Sequence, residues 1–164
     1  MQPGKILVAE HQGAYMIKLV GDVRVTWCAS FDDYLQAMFS DQQFSSIFVD
    51  LSDVEGIDST TLGLLAKLAI EADRHYHHQP TIYSPQPSIS LLLDSMGFDA
   101  VFTITQHQDQ LWNNAEKLAQ CSSSDEEARD KVIEAHKVLM SLNDDNRLKF
   151  EELVSTLEAS VTDY

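Results

Sequence analysis

Basic side chains are scarce in this sequence of 164 residues: 11 Lys and Arg stand against 26 Asp and Glu, a formal net charge of −15. The acid excess runs through both halves of the chain. Phosphate backbones and anionic membranes are repelled overall by such a surface, so no nucleic-acid or membrane partner is expected. Cysteine is nearly missing too. Cys28 and Cys121 lie far apart with no metal spacing, as reduced cytoplasmic thiols do. The start, Met1-Gln2-Pro3-Gly4-Lys5, has none of the apolar stretch of a signal peptide. The most apolar helical segment is interrupted by Lys67 and is too short to cross a bilayer. A cytoplasmic location is therefore expected.

Glycine is sparse as well, with six in the chain, and Gly56 and Gly63 make no phosphate-binding loop. Ser59 lacks the flanking glycines of a nucleophile elbow. Nothing marks Asp50 and Asp58 as an acid and base pair. His75-Tyr76-His77-His78 is not completed by cysteines or carboxylates into a metal site. Trp27 and Trp112 are isolated, which suits packing better than base stacking. No catalytic residue, metal or cofactor is expected.

What is present is an alternation of strand-like and helix-like segments. Ile6-Leu7-Val8-Ala9 and Tyr15 to Val20 read as strands joined by a turn at His11-Gln12-Gly13. Ser30 and Asp33 have the spacing of a capping box for a helix through about Phe39. Ser46 to Asp50 is a third strand. A helix follows from Ser59 to about His75, then a strand at Pro80 to Tyr83. Pro87 to Met96 is a helix stopped by Gly97. Val101 to Ile104 is a fifth strand, and Gln108 to Leu118 a further helix. An opening hairpin followed by alternation predicts an α/β fold with a mixed, mostly parallel sheet covered by helices.

Residues 1–118 form the expected domain and 119–125, with Ser122-Ser123-Ser124-Asp125, a linker. Residues 126–164 read as a helical hairpin. Ala128, Val132, Ala135, Leu139 and Leu142 make one apolar stripe; Phe150, Leu153, Leu157 and Val161 make another. A two-helix hairpin has little core of its own. Its stripe is expected to pack on the main domain, on a second copy as a homodimer, or on a partner.

The most informative stretch runs from Val49 to Leu62. It reads as a strand, a turn, and a helix whose start holds Asp58, Ser59, Thr60 and Thr61. The first N–H groups of a helix lack internal partners, and an anion is stabilised there by those donors and by the helix dipole. A phosphate on Ser59 would add about −1.5 to −2 charges. Acid and hydroxyls before an apolar run are also what an ordinary N-cap looks like. Leu62, Leu65 and Ala66 are expected against the sheet. Leu64 and Leu68 lie on another face, either as an apolar rim beside Ser59 that binds a partner or as core beneath a neighbouring helix.

Asp50-Leu51-Ser52-x-Val54-x-x-Ile57-Asp58-Ser59-Thr60-x-Leu62-Gly63 resembles the signature of STAS domains of the anti-sigma factor antagonist type. The element order over residues 1–118 resembles that fold. The resemblance implies that Ser59 is the target of a partner serine kinase, with Asp58, Thr60 and Thr61 around it. Thr61 stands where the family usually has Gly and puts another hydroxyl in the first turn. Gly21-Asp22 resembles a Gly-x-x-Asp feature of the family, which implies Asp22 near the acceptor; a plain turn is the other reading.

The resemblance implies a phosphorylation-switched regulator with no chemistry of its own. Its partners would be an anti-sigma factor with serine-kinase activity, or a response regulator carrying kinase and phosphatase domains. Phosphate at Ser59 is expected to weaken binding by added charge, which Asp58 and the acidic chain reinforce. A scaffold subunit, with Ser59 only a cap, is the alternative.

Overall fold

A computed structural model describes residues 2–108, 112 and 114–161. Strands β1 (Lys5–His11), β2 (Ala14–Val23), β3 (Ser46–Ile57), β4 (Thr81–Tyr83), β5 (Thr103–Thr105) and β6 (Glu116–Lys117) form one sheet in the order β5-β4-β3-β2-β1-β6. β1 runs antiparallel to β2 and β6, whereas β2 to β5 are mutually parallel. The β1–β2 turn needs only Gln12 and Gly13, both at positive φ (50° and 86°). That is the type I′ geometry whose twist suits a tight hairpin.

The helices are α1 (Cys28–Phe39), α2 (Ser59–Tyr76), α3 (Pro87–Ser95), α4 (Asp125–Leu142) and α5 (Asp144–Val161). Strand residues Ile6, Ile17, Leu19, Val49, Leu51 and Ile82 share one core with Phe31, Leu35, Leu65, Leu68, Phe98 and Phe102 from the helical layer and its connections. This is the expected mixed, mostly parallel sheet with a C-terminal helical pair.

Several boundaries differ from those the sequence predicts. β3 does not stop at Asp50 but runs to Ile57, because Val54, Gly56 and Ile57 continue the ladder with Gly21, Asp22 and Val23. Register shifts between Lys18 and Val20 and between Gly21 and Asp22 absorb the irregular sequence. Ser30 does not cap α1. A 3-10 turn at Val25–Trp27 starts the helix earlier, and Ser30 lies inside it, accepting from the Cys121 N–H at 2.7 Å. The helix expected over Gln108 to Leu118 is not formed at its end, since Glu116 and Lys117 pair with Val8 and Leu7 as β6. Residues 109–111 and 113 of that segment lie outside the described residues.

The C-terminal hairpin packs on the same chain. Ser124 caps α4, its Oγ accepting from the Glu127 N–H at 3.1 Å. Asn143 caps α5, its Oδ1 accepting from the Asn146 N–H at 2.8 Å. Asn146 is fully buried at the elbow and donates to the Met96 and Leu139 carbonyls at 2.8 and 2.9 Å. The elbow is thereby tied to the end of α3.

Candidate functional site

Asp58 ends β3 and begins α2. Its backbone is extended, and its Oδ1 accepts from the Thr61 N–H at 2.9 Å and from the Thr61 hydroxyl at 2.7 Å. Its Oδ2 accepts from the Val25 N–H at 2.8 Å. One carboxylate therefore caps the helix and holds the turn before α1 against it, which fixes the geometry of the hydroxyl cluster.

The three hydroxyl residues have different surroundings. Thr60 and Thr61 are buried. Thr61 points inward, its Oγ1 lying 3.9 Å from Cys28 Sγ as well as bonding Asp58. The extra hydroxyl of the first turn thus finds a use inside the molecule. Burial, partly offset by that threonine contact, pushes the Cys28 thiol up to about 12. Ser59 alone is half-buried.

Ser59 has a partner from far along the chain. Its Oγ lies 2.8 Å from His136 Nε2 on α4. His136 is buried, and its Nδ1 lies 2.6 Å from the Val132 carbonyl. A carbonyl can only accept, so Nδ1 carries a proton; in the neutral ring Nε2 then accepts from the Ser59 hydroxyl. The ring meets Phe150 of α5 edge-on, centroids 5.0 Å apart. Nδ1 is held by a backbone carbonyl of its own helix, which fixes the tautomer and the ring orientation.

Two further contacts hold α4 on α2. Gly63 meets Ala135 so closely that a Cβ on it would stand 2.3 Å from the Ala135 carbonyl oxygen. Beside this crossing, Lys67 Nζ donates to Asp32 at 2.9 Å and Glu134 at 2.6 Å, and Lys131 of α4 also reaches Asp32. Asp32 is 1% exposed. Burial works against its charged form, but Lys131 and Lys67 outweigh it and hold its carboxyl below the usual range.

Leu64 and Leu68 are not a surface rim. Both are 0% exposed. They belong to the core of the domain, together with Phe31, Leu35 and Met38 of α1. Asp22 sits on β2 opposite Gly56, and its carboxylate accepts from Arg24 Nε at 2.8 Å. Among the described residues no hydrogen bond joins Asp22 to Ser59. The histidines ending α2 also separate: His75 meets Glu71 at 2.9 Å, and His78 Nε2 accepts from the Ile47 N–H at 3.0 Å. His136 is not evident in the sequence because it sits within an amphipathic helix; the one signal is a polar side chain next to Ala135 on the apolar stripe.

No helix among the described residues is long and apolar enough to cross a membrane. No curated protein matches the chain. Among solved structures, the chain is similar to a crystal structure of an anti-sigma factor antagonist from Mycobacterium paratuberculosis. The TM-score is 0.52 at 20% identity, over 65% of this chain and 89% of that one. At that identity the likeness is one of fold. The family model described as "Mlab, STAS domain" matches residues 6–103, which includes the Asp58–Gly63 segment and stops short of α4 and α5. Over more than half its length, then, this chain carries that family's domain, and it belongs to the STAS domain family.

Proposed function

We propose that this chain is a phosphorylation-switched protein-binding regulator of the anti-sigma factor antagonist type, acting in the cytoplasm, with Ser59 as phosphoacceptor. The observation that carries the reading is the accessibility order at the start of α2. Thr60 and Thr61 are buried and Thr61 is committed to Asp58, whereas Ser59 is half-buried and takes no part in the cap. Membership of the STAS family and the likeness to an anti-sigma factor antagonist support the functional class. The partner is an anti-sigma factor with serine-kinase activity, or a response regulator with kinase and phosphatase domains. The chain is a substrate of that partner and carries out no reaction itself.

Protein purified from its host should contain a fraction heavier by one phosphate, mapping to Ser59, and Ser59→Ala should remove it. Phosphate on Thr60 or Thr61 instead would move the acceptor, and a wholly unmodified protein under conditions that activate the kinase would remove the switch. A second reading, a scaffold in which Ser59 is structural, draws on the Ser59–His136 hydrogen bond. The same mapping separates the two.

A further inference from the structure

The contact that buries part of Ser59 is made by a region outside the family match. Here the structure assigns a role to the C-terminal hairpin: α4 is a cover over the Ser59–Gly63 face of α2, and a phosphate on Ser59 lifts it. This deepens the reading of Ser59 as acceptor and rests on it.

The contact turns on one proton. With the ring neutral and its one proton on Nδ1, Ser59 donates its hydroxyl hydrogen to His136 Nε2. Transfer of the γ-phosphoryl group of a nucleoside triphosphate forms an Oγ–P bond, breaks the P–O bond to the departing diphosphate, and releases that hydrogen as a proton. The ester oxygen can no longer donate, so against the neutral ring two acceptors face each other where a hydrogen bond had been. Three phosphoryl oxygens must also be placed, carrying about −1.5 to −2 charges.

On the side facing α4 the surroundings leave no room for them. His136 is 2% exposed and backed by the Phe150 ring. At the neighbouring crossing, Gly63 and Ala135 already touch without a side chain on the glycine. α4 therefore cannot yield by sinking closer to α2, and moving away is the remaining response. Asp58 lies beside Ser59, so the phosphate enters next to an existing carboxylate.

The rest of the contact can part without stranding a charge. Asp32 is bonded to Lys131 of α4 and to Lys67 of α2. When Lys131 leaves with α4, Lys67 stays on the buried carboxylate. Lys131 and Glu134 are each partly exposed and regain water. α4 buries only Ala135, His136 and Leu139 of its 18 residues.

The test uses the full chain with phosphoserine placed at position 59 during translation, its mass confirmed, and amide hydrogen exchange read by mass spectrometry. Protection of peptides within 126–161 should fall by roughly tenfold or more relative to the unmodified chain, with β2, β3 and α3 unchanged. Gly63→Ala, which introduces the Cβ clash without any phosphate, should release the same peptides. Unchanged or increased protection of 126–161 in the phosphorylated chain overturns the proposal. So does equal loss in β2 and β3, which would mean general unfolding. Because translation supplies the phosphate, this result is independent of whether host protein is modified at Ser59. A failed cover and a misassigned acceptor are thereby told apart.

Discussion

α2 and α4 are both 18-residue helices started by a side-chain cap, and they cross at Gly63 and Ala135, yet they are held in opposite ways. α2 buries ten residues, including an unbroken run from Thr60 to Ala66, between the sheet, α1 and α4. α4 buries three, one of them a histidine, and relies on a close backbone approach, ion pairs at Asp32 and Lys67, and one hydrogen bond to Ser59. Apolar burial is insensitive to a single proton or phosphate. Polar attachment is not. The body of the domain is thus built for permanence and its C-terminal cover for response.

The contrast is sharpest where a large apolar side chain is cut back. Leu64→Ala should destabilise the whole body by about 2–5 kcal/mol, because the fully buried leucine leaves a cavity in the core. The same change at Leu148 on α5, which is 64% exposed, should stay within about 0.5 kcal/mol. Urea unfolding followed by tryptophan fluorescence measures both. A Leu64→Ala chain as stable as the parent would show that α2 is not core.

Acid should loosen the cover with a smaller effect. Asp32 is held below its usual range in the folded state, so its stabilisation is complete above the unfolded value of about 3.9 and is lost as pH falls through the lower folded value. The difference in unfolding free energy between pH 7 and pH 3 should shrink in Asp32→Asn. At pH 7 that variant should lose less than about 3 kcal/mol, since Lys67 keeps Glu134 and Lys131 can reach water. An undiminished pH difference would assign the acid sensitivity to other carboxylates.

His136→Ala should have a smaller effect than either Leu64→Ala or Asp32→Asn, about 1 kcal/mol for the hydrogen bond and a similar amount for the ring contact with Phe150. It should appear as faster protease cleavage within 126–161, with the unfolding midpoint of the body little changed. A matching loss in both would make hairpin and body one cooperative unit and erase the distinction between them.

The architecture is legible in the sequence where local and tertiary preferences agree. The β1, β2 and β4 runs, the Pro87 helix start and the Gly97 stop are readable because each has a strong local cause. β3 reads short because Ser52-Asp53-Val54-Glu55-Gly56 has the composition of a turn. Only pairing with β2, a long-range fact, keeps it extended. Ser30 looks like a cap, but its hydroxyl serves Cys121, 91 residues away. Ser59, Asp58 and Thr61 are visible as a group because capping is local. The role of Leu64 and Leu68 is open in the sequence, since periodicity identifies a face and not what lies over it; their full burial in the core decides it. His136 depends on α4 folding back onto α2, and nothing local announces that.

Asn146 gives the hairpin a fixed pivot. With no exposure and bonds to the Met96 and Leu139 carbonyls, it pins the elbow to the end of α3 at the far end of α4 from the Ser124 cap. Anything that parts α4 from α2 would swing it about that point without letting the hairpin diffuse away. Re-closure is then a first-order event governed by the local concentration of a tethered segment, on the order of millimolar. An outside protein competing for the same face must match that figure to hold it. A protein that binds this face weakly would therefore lose it to α4 by simple competition, which makes the tether a built-in rival as well as a lid.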